Sequence, residues 1–135
     1  MGSIFSKIKN DILGGKYSLS IACVDEKTSR EINKKYRNKN KSTNILSFAL
    51  RENLGEIILC LKIIKLDAKK FSKTFDQFFG FLVIHGMLHL KGLEHSSTME
   101  ELEEKYDKKY FGGDRCGVVY DASRGRRIFK RRKKS

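Results

Sequence analysis

The sequence predicts one small domain that mixes helices with strands around a buried, histidine-bearing helix. Three observations lead there. At 135 residues the chain has the size of a single domain and can bury a core without disulfide staples. Its apolar residues recur at helical spacing in some stretches and alternate or cluster as strands in others. All of its histidines fall within His85-Gly-Met-Leu-His89-Leu-Lys-Gly92-Leu-Glu-His95, directly after the apolar run Phe78-Phe-Gly-Phe-Leu-Val-Ile84.

Taken in order, residues 3–13 set Ile4, Phe5, Ile8 and Ile12 at helical spacing, with Ser3 as cap and Gly14-Gly15 as stop. Tyr17 to Val24 alternates apolar with small polar residues and reads as a strand. Asp25 caps a second helix, in which Thr28 to Tyr36 carries Ile32 and Tyr36 on one face, and Arg37 to Ser42 is a polar, basic loop. Thr43–Leu50 and Leu54–Cys60 are strands joined by the short turn Arg51-Glu-Asn53, which predicts a hairpin. Residues 61–70 form an amphipathic helix, and the histidine helix spans about Lys73 to Lys91. A last helix near Thr98–Tyr110 puts Met99, Leu102 and Tyr106 on one side, with acids in its first turns and lysines at its end, as suits the helix dipole. Gly112-Gly113 closes it, and Gly117–Tyr120 is a possible short strand. The chain contains no proline, so its breaks come from glycine and asparagine.

The histidine spacing carries the chemistry. Residues four apart on a helix share one face, so His85 and His89 can grip one ion. On a continued helix His95 would lie on another face, about 9 Å beyond His89. Gly92 supplies the left-handed stop that lets the chain fold His95 back. The three make a tetrahedral zinc site with one position left to water, as catalytic zinc sites are built. The spacing matches the metzincin peptidase pattern except after the first histidine, where that pattern has a glutamate as general base. Here the residue is Gly86, so the peptidase reading loses its base while the metal site survives.

The formal net charge is +13, and Arg124, Arg126, Arg127, Lys130, Arg131, Arg132, Lys133 and Lys134 crowd the C-terminal end without an acid among them. The rest of the chain is more moderately basic. A partner with many phosphates is implied, RNA or the ribosome before an anionic membrane, since the tail has no apolar face. No apolar run is long enough to span a membrane, and Met1–Lys16 shows no continuous signal region. Cys23, Cys60 and Cys116 are few and far apart, and Cys23 and Cys60 sit in apolar runs expected to be buried thiols of a reducing cytoplasm.

Three blocks resemble one family. His85-Gly-Met-Leu-His-Leu-Lys-Gly-Leu-Glu-His95, Arg37 with Thr43-Asn-Ile-Leu-Ser-Phe48, and Leu54-Gly-Glu-Ile57 resemble the YbeY family of bacterial metal-dependent endoribonucleases that mature ribosomal RNA. Met99 fits a methionine typical past the third histidine, and the likeness covers roughly residues 19–110. This chain departs from the family pattern with Asn44, Glu56 and Glu94 for aspartates and Ala49 for proline. The resemblance implies an α+β fold, a small mixed sheet of about four strands with helices packed on it. It implies one zinc ion at His85, His89 and His95, with Arg37 near the metal and a basic RNA groove. The implied partners are ribosomal RNA and the small ribosomal subunit, with ribosomal or assembly proteins as further candidates. The implied task is processing of the 3′ end of the small-subunit RNA and ribosome quality control. Residues 1–113 form the metal-binding domain, and 114–135 are read as a flexible basic extension to which nothing from the family carries over.

Chemically, a zinc ion on three neutral imidazoles keeps its full charge and lowers the pKa of bound water to about 7. Arg37 is the candidate catalytic cation for a scissile phosphate, because its planar fork holds phosphate through two bonds. Glu94 is a candidate to orient a ligand histidine. Lys34, Lys39 and Lys41 are candidates to track RNA, as are Arg126, Arg127, Arg131 and Arg132. The sequence leaves the base open: metal-bound hydroxide or the RNA 2′-hydroxyl could attack. A ribosome assembly factor with a structural metal is the alternative to the nuclease, and a peptidase is a distant third.

Overall fold

A computed structural model of the protein describes residues 3–111, 117–121 and 126–130, the last two segments as backbone. The elements run α1 (Ser3–Ile12), β1 (Ser18–Cys23), α2 (Glu26–Arg37), β2 (Ile45–Arg51), β3 (Leu54–Leu59), α3 (Leu61–Lys70), α4 (Phe75–Leu90), α5 (Ser97–Phe111), β4 (Gly117–Asp121) and β5 (Arg126–Lys130). The fold is α+β, as expected. The sheet differs in strand number: β1, β3 and β2 lie side by side in that order, while β4 and β5 form a separate antiparallel pair. β1 runs parallel to β3 and β2 antiparallel to it, so the sheet is mixed, with branched β3 at its centre. The β2–β3 hairpin forms as the short turn predicts, with a register shift between Ala49 and Arg51.

α4 organises the core. It is apolar around most of its circumference and buries Phe78, Phe81, Leu82, Val83, Ile84, Met87 and Leu88. An all-round apolar helix must be covered on all sides. One side takes the sheet through Ile45, Ile57 and Leu59, and the others take α1, α3 and α5 through Ile8, Ile12, Ile64, Met99 and Tyr106. Its N-terminus is a full capping box: Thr74 accepts from the Gln77 amide while the Gln77 side chain accepts from the Thr74 amide. α5 comes close to α4 at Gly80, where a Cβ would stand 2.7 Å from the Phe111 ring.

α2 meets the sheet through its last turn, where Tyr36 and Arg37 lie against Phe48, and polar bonds tie it to the loop that follows. Asp25 caps it by accepting from the Thr28 amide at 2.8 Å. Its buried residues are Ser29 and Asn33. Ser29 Oγ donates to the Thr43 carbonyl and accepts from the Thr43 amide, and Asn33 donates to the Lys41 carbonyl. These bonds pin the basic loop back along the helix. Tyr36, expected beside Ile32 on the apolar face, is instead 60% exposed. Cys60 is buried as expected, whereas Cys23, the last residue of an edge strand, is exposed; Cys116 lies outside the described residues. No described helix is long and apolar enough to cross a membrane.

Candidate metal centre

The C-terminal end of α4 builds the site. His85 and His89 project from its last two turns and are half-buried. The helix then stops. Gly92 takes φ +102°, and the amides of Gly92 and Leu93 close onto the carbonyls of His89 and Leu88 at 2.9 and 3.1 Å. Only glycine adopts that φ readily, which is the structural reason for Gly92. The reversal brings exposed His95 back, so that its ring centroid lies 5.3 Å from that of His85 and 4.9 Å from that of His89. One ligand nitrogen from each histidine can be chosen so that all lie within 4.8 Å of one another. These three residues could therefore hold a metal ion.

Hydrogen-bond logic strengthens that fit. His89 Nδ1 faces the Leu93 carbonyl at 3.1 Å. A carbonyl only accepts, so this nitrogen carries the proton. His85 Nδ1 faces a Glu103 carboxylate oxygen at 2.6 Å, which likewise places a proton on Nδ1. The two Nε2 atoms face each other at 3.1 Å. Both therefore stand on the side of the rings where a shared ion would sit. Tetrahedral zinc with bonds of about 2.0–2.1 Å would set neighbouring nitrogens about 3.3 Å apart, so the observed spacing suits a common ion.

Glu103 is the residue that sequence reasoning missed. It is fully buried on α5. A carboxylate behind a ligand histidine fixes its tautomer and raises its basicity. The expectation placed that role on Glu94, and here the structure differs. Glu94 is exposed beyond the Gly92 turn, and the carboxylate meeting His85 comes from a separate helix. The signal for Glu103 was present: Met99, Glu103 and Tyr106 recur at i, i+4 and i+7, and all three are buried.

Gly86 explains why the peptidase base is absent. A Cβ at this position would lie 2.9 Å from Ile45 Cδ1, 2.9 Å from Ser47 Oγ and 3.0 Å from Ile57 Cδ1. The helix rests on the sheet here, and a glutamate has no room.

Arg37 ends α2 and reaches the open edge of β2. Its Nη2 donates to the Ser47 carbonyl at 2.6 Å, and its guanidinium lies 5.1 Å from the Phe48 ring centroid. Ser47 thus links Arg37 to α4, since its Oγ is what approaches Gly86, the residue beside His85. Asn44 donates to Asp67 on α3 at 3.0 Å; an aspartate there would set two carboxylates together. Lys34, Lys39 and Lys41 are exposed around Arg37. Arg126 and Arg127 lie in β5, opposite Asp121 and Tyr120, and Arg131 and Arg132 fall outside the described residues.

The chain is similar to several known proteins. The family profile described as "Endoribonuclease YbeY" matches residues 3–110. Endoribonuclease YbeY of Buchnera aphidicola subsp. Schizaphis graminum is 41% identical over 111 residues, covering 69% of this chain and 70% of that one. Endoribonuclease YbeY of Staphylococcus carnosus is 38% identical over 115 residues, covering 76% and 74%. The solution structure of TM1509 from Thermotoga maritima superposes with a TM-score of 0.62 at 28% identity, covering 82% of this chain and 81% of that one.

Proposed function

This chain belongs to the Endoribonuclease YbeY family, and from that premise we propose that it is a zinc-dependent endoribonuclease that cuts single-stranded ribosomal RNA. The observation that carries the metal-dependent reading is the convergence of His85, His89 and His95, whose ligand atoms all lie within 4.8 Å of one another. Three neutral imidazoles are a donor set that zinc favours.

When bound, zinc supplies a Lewis acid for a phosphoryl oxygen and lowers the pKa of water. The chain's own residues do the rest. Glu103 holds the His85 proton on Nδ1 and so keeps Nε2 available. The Leu93 carbonyl does the same for His89. Arg37, anchored by one bond to Ser47, binds the phosphate and offsets the charge that grows on it. Lys34, Lys39 and Lys41 hold neighbouring phosphates, with Arg126, Arg127, Arg131 and Arg132 extending that contact along a longer RNA.

The biological setting follows from the same premise: 16S ribosomal RNA 3′-end processing and ribosome quality control in the cytoplasm, on the small ribosomal subunit, alongside ribosomal or assembly proteins. The test uses untagged wild type and His89→Ala. Bound metal is quantified, and both proteins are incubated with small-subunit precursor RNA and with 30S particles. One zinc per chain and RNA shortening in wild type, both lost in the variant, is the expected result. Wild type that holds zinc and binds particles but cuts nothing would replace the nuclease with an assembly factor whose metal is structural.

A further inference from the structure

Tyr36 has no place in the mechanism above and is not explained by packing. It sits in the last turn of α2, yet the residues that helix buries are Ser29 and Asn33. Its ring is 60% exposed. It is nevertheless held in place: it meets Phe48 at 5.5 Å between centroids and an interplanar angle of 65°, an edge contact. Phe48 in turn carries the Arg37 guanidinium. The surroundings are mostly cationic, with Glu56, the cross-strand partner of Phe48, as the acid beside them. From Ile32 to Arg51 the sequence holds Lys34, Lys35, Arg37, Lys39, Lys41 and Arg51 and no acid, and Lys35 Nζ lies 5.2 Å from the Tyr36 centroid. The loop bearing these charges is fixed by the Asn33–Lys41 bond at 2.9 Å and by Ser42 Oγ donating to the Glu26 carbonyl at 3.0 Å.

An exposed aromatic ring beside a run of cations is a surface that single-stranded nucleic acid binds: bases stack on the ring while cations take the phosphates. We propose that Tyr36 is the stacking residue for one nucleobase of the RNA strand, positioning the adjoining phosphate at Arg37. The strand then passes from the outer face of the sheet, where Tyr36 and Phe48 lie, across the β2 edge at Ser47 towards the histidines. Stacking tolerates any base, so this contact supplies affinity and register rather than sequence choice. The inference rests on the endoribonuclease reading, and its test separates the two.

Binding is measured for a mixed-sequence single-stranded oligoribonucleotide and for a ribose–phosphate oligomer of equal length that lacks bases. Wild type is expected to prefer the RNA. Tyr36→Ala should bind the RNA about tenfold more weakly and the baseless oligomer as wild type does, with an unchanged salt slope because phosphate contacts persist. Tyr36→Phe, which keeps the ring, should behave as wild type. Undiminished RNA affinity in Tyr36→Ala overturns the proposal, as does an equal loss on both oligomers, which would make the ring a prop for the basic loop. If wild type cleaves precursor RNA while Tyr36→Ala keeps full affinity, Tyr36 alone is removed. If wild type neither binds nor cleaves RNA, the endoribonuclease reading falls with it.

Discussion

Replacing Glu103 with glutamine perturbs the histidine site while keeping its shape. The carboxylate is fully buried and meets His85 Nδ1 at 2.6 Å. Glutamine preserves the volume and an oxygen that accepts the same proton, but it removes the negative charge. A hydrogen bond to a charged group contributes about 1.5–3 kcal/mol, against about 0.5–1.5 kcal/mol for a neutral pair. The difference is on the order of 1.4 kcal/mol, or about tenfold in an equilibrium constant, the lower end of the range for partners behind metal ligands. Competition against a chromophoric chelator at pH 7 reads the zinc dissociation constant, and circular dichroism checks the fold. Glu103→Gln should raise that constant about tenfold with the fold intact, while Glu94→Gln should leave it unchanged. Wild-type zinc affinity in Glu103→Gln would refute the argument, and so would weakening in Glu94→Gln instead.

Further outcomes follow from other contacts. Gly86→Ala forces a methyl against Ile45, Ser47 and Ile57 and should cost about 1–3 kcal/mol in chemical denaturation; an unchanged midpoint would mean that α4 can lift from the sheet freely. Arg37→Lys should retain zinc but cut RNA more slowly, since a point charge cannot replace the planar fork; equal rates would remove Arg37 from the reaction. Asp11 accepts from Lys109 and Tyr110 at 2.6 Å each, and these bonds, Lys109 first, hold its carboxyl below the ordinary value of 3.8. A depressed carboxylate stabilises the fold above its unfolded pKa and loses that contribution as pH falls through the folded value. Asp11→Asn should therefore lower Tm slightly at pH 7, with the difference shrinking as the pH falls below the ordinary value of 3.8; a constant difference at acid pH would contradict the linkage. Removing residues 124–135 should weaken RNA binding and flatten its salt dependence; an identical slope would make the tail a bystander.

Local geometry was the legible part of the sequence. His85, His89 and Gly92 stand within two turns of helix, where spacing fixes direction, and the reversal to His95 needs only the φ that Gly92 adopts. The β2–β3 hairpin and α3 were legible for the same reason. What depended on distant partners was not. The acids of α5 read as a dipole-compensating set, and only the packing of α5 on α4 singles out Glu103 from its neighbours. Glu94 drew notice by adjacency to His95, but it is exposed. Tyr36 shares helical spacing with Ile32, yet α2 binds the loop through Ser29 and Asn33, so its apolar pattern did not mark its buried face. Gly86 read as a missing base, and its positive reason appears only once Ile45, Ser47 and Ile57 are seen beneath it. The strand near 117–120 pairs with β5, leaving the main sheet at three.

The bond from Arg37 to the Ser47 carbonyl has a second consequence, for self-association. β2 is an edge strand, and an unpaired edge is a template on which another chain can add a strand. The guanidinium occupies one of its outward carbonyls, and the lysines around it repel a second copy carrying the same charges. Natural edges are guarded by bulges and lysines in this way, and the irregularity between Ala49 and Arg51 adds such a bulge. Truncating Arg37 therefore uncovers a stretch of strand as well as removing a phosphate ligand. Loss of RNA cleavage in an Arg37→Ala protein has to be read beside its sedimentation behaviour, since chains paired edge to edge would hide the same surface that RNA must cross.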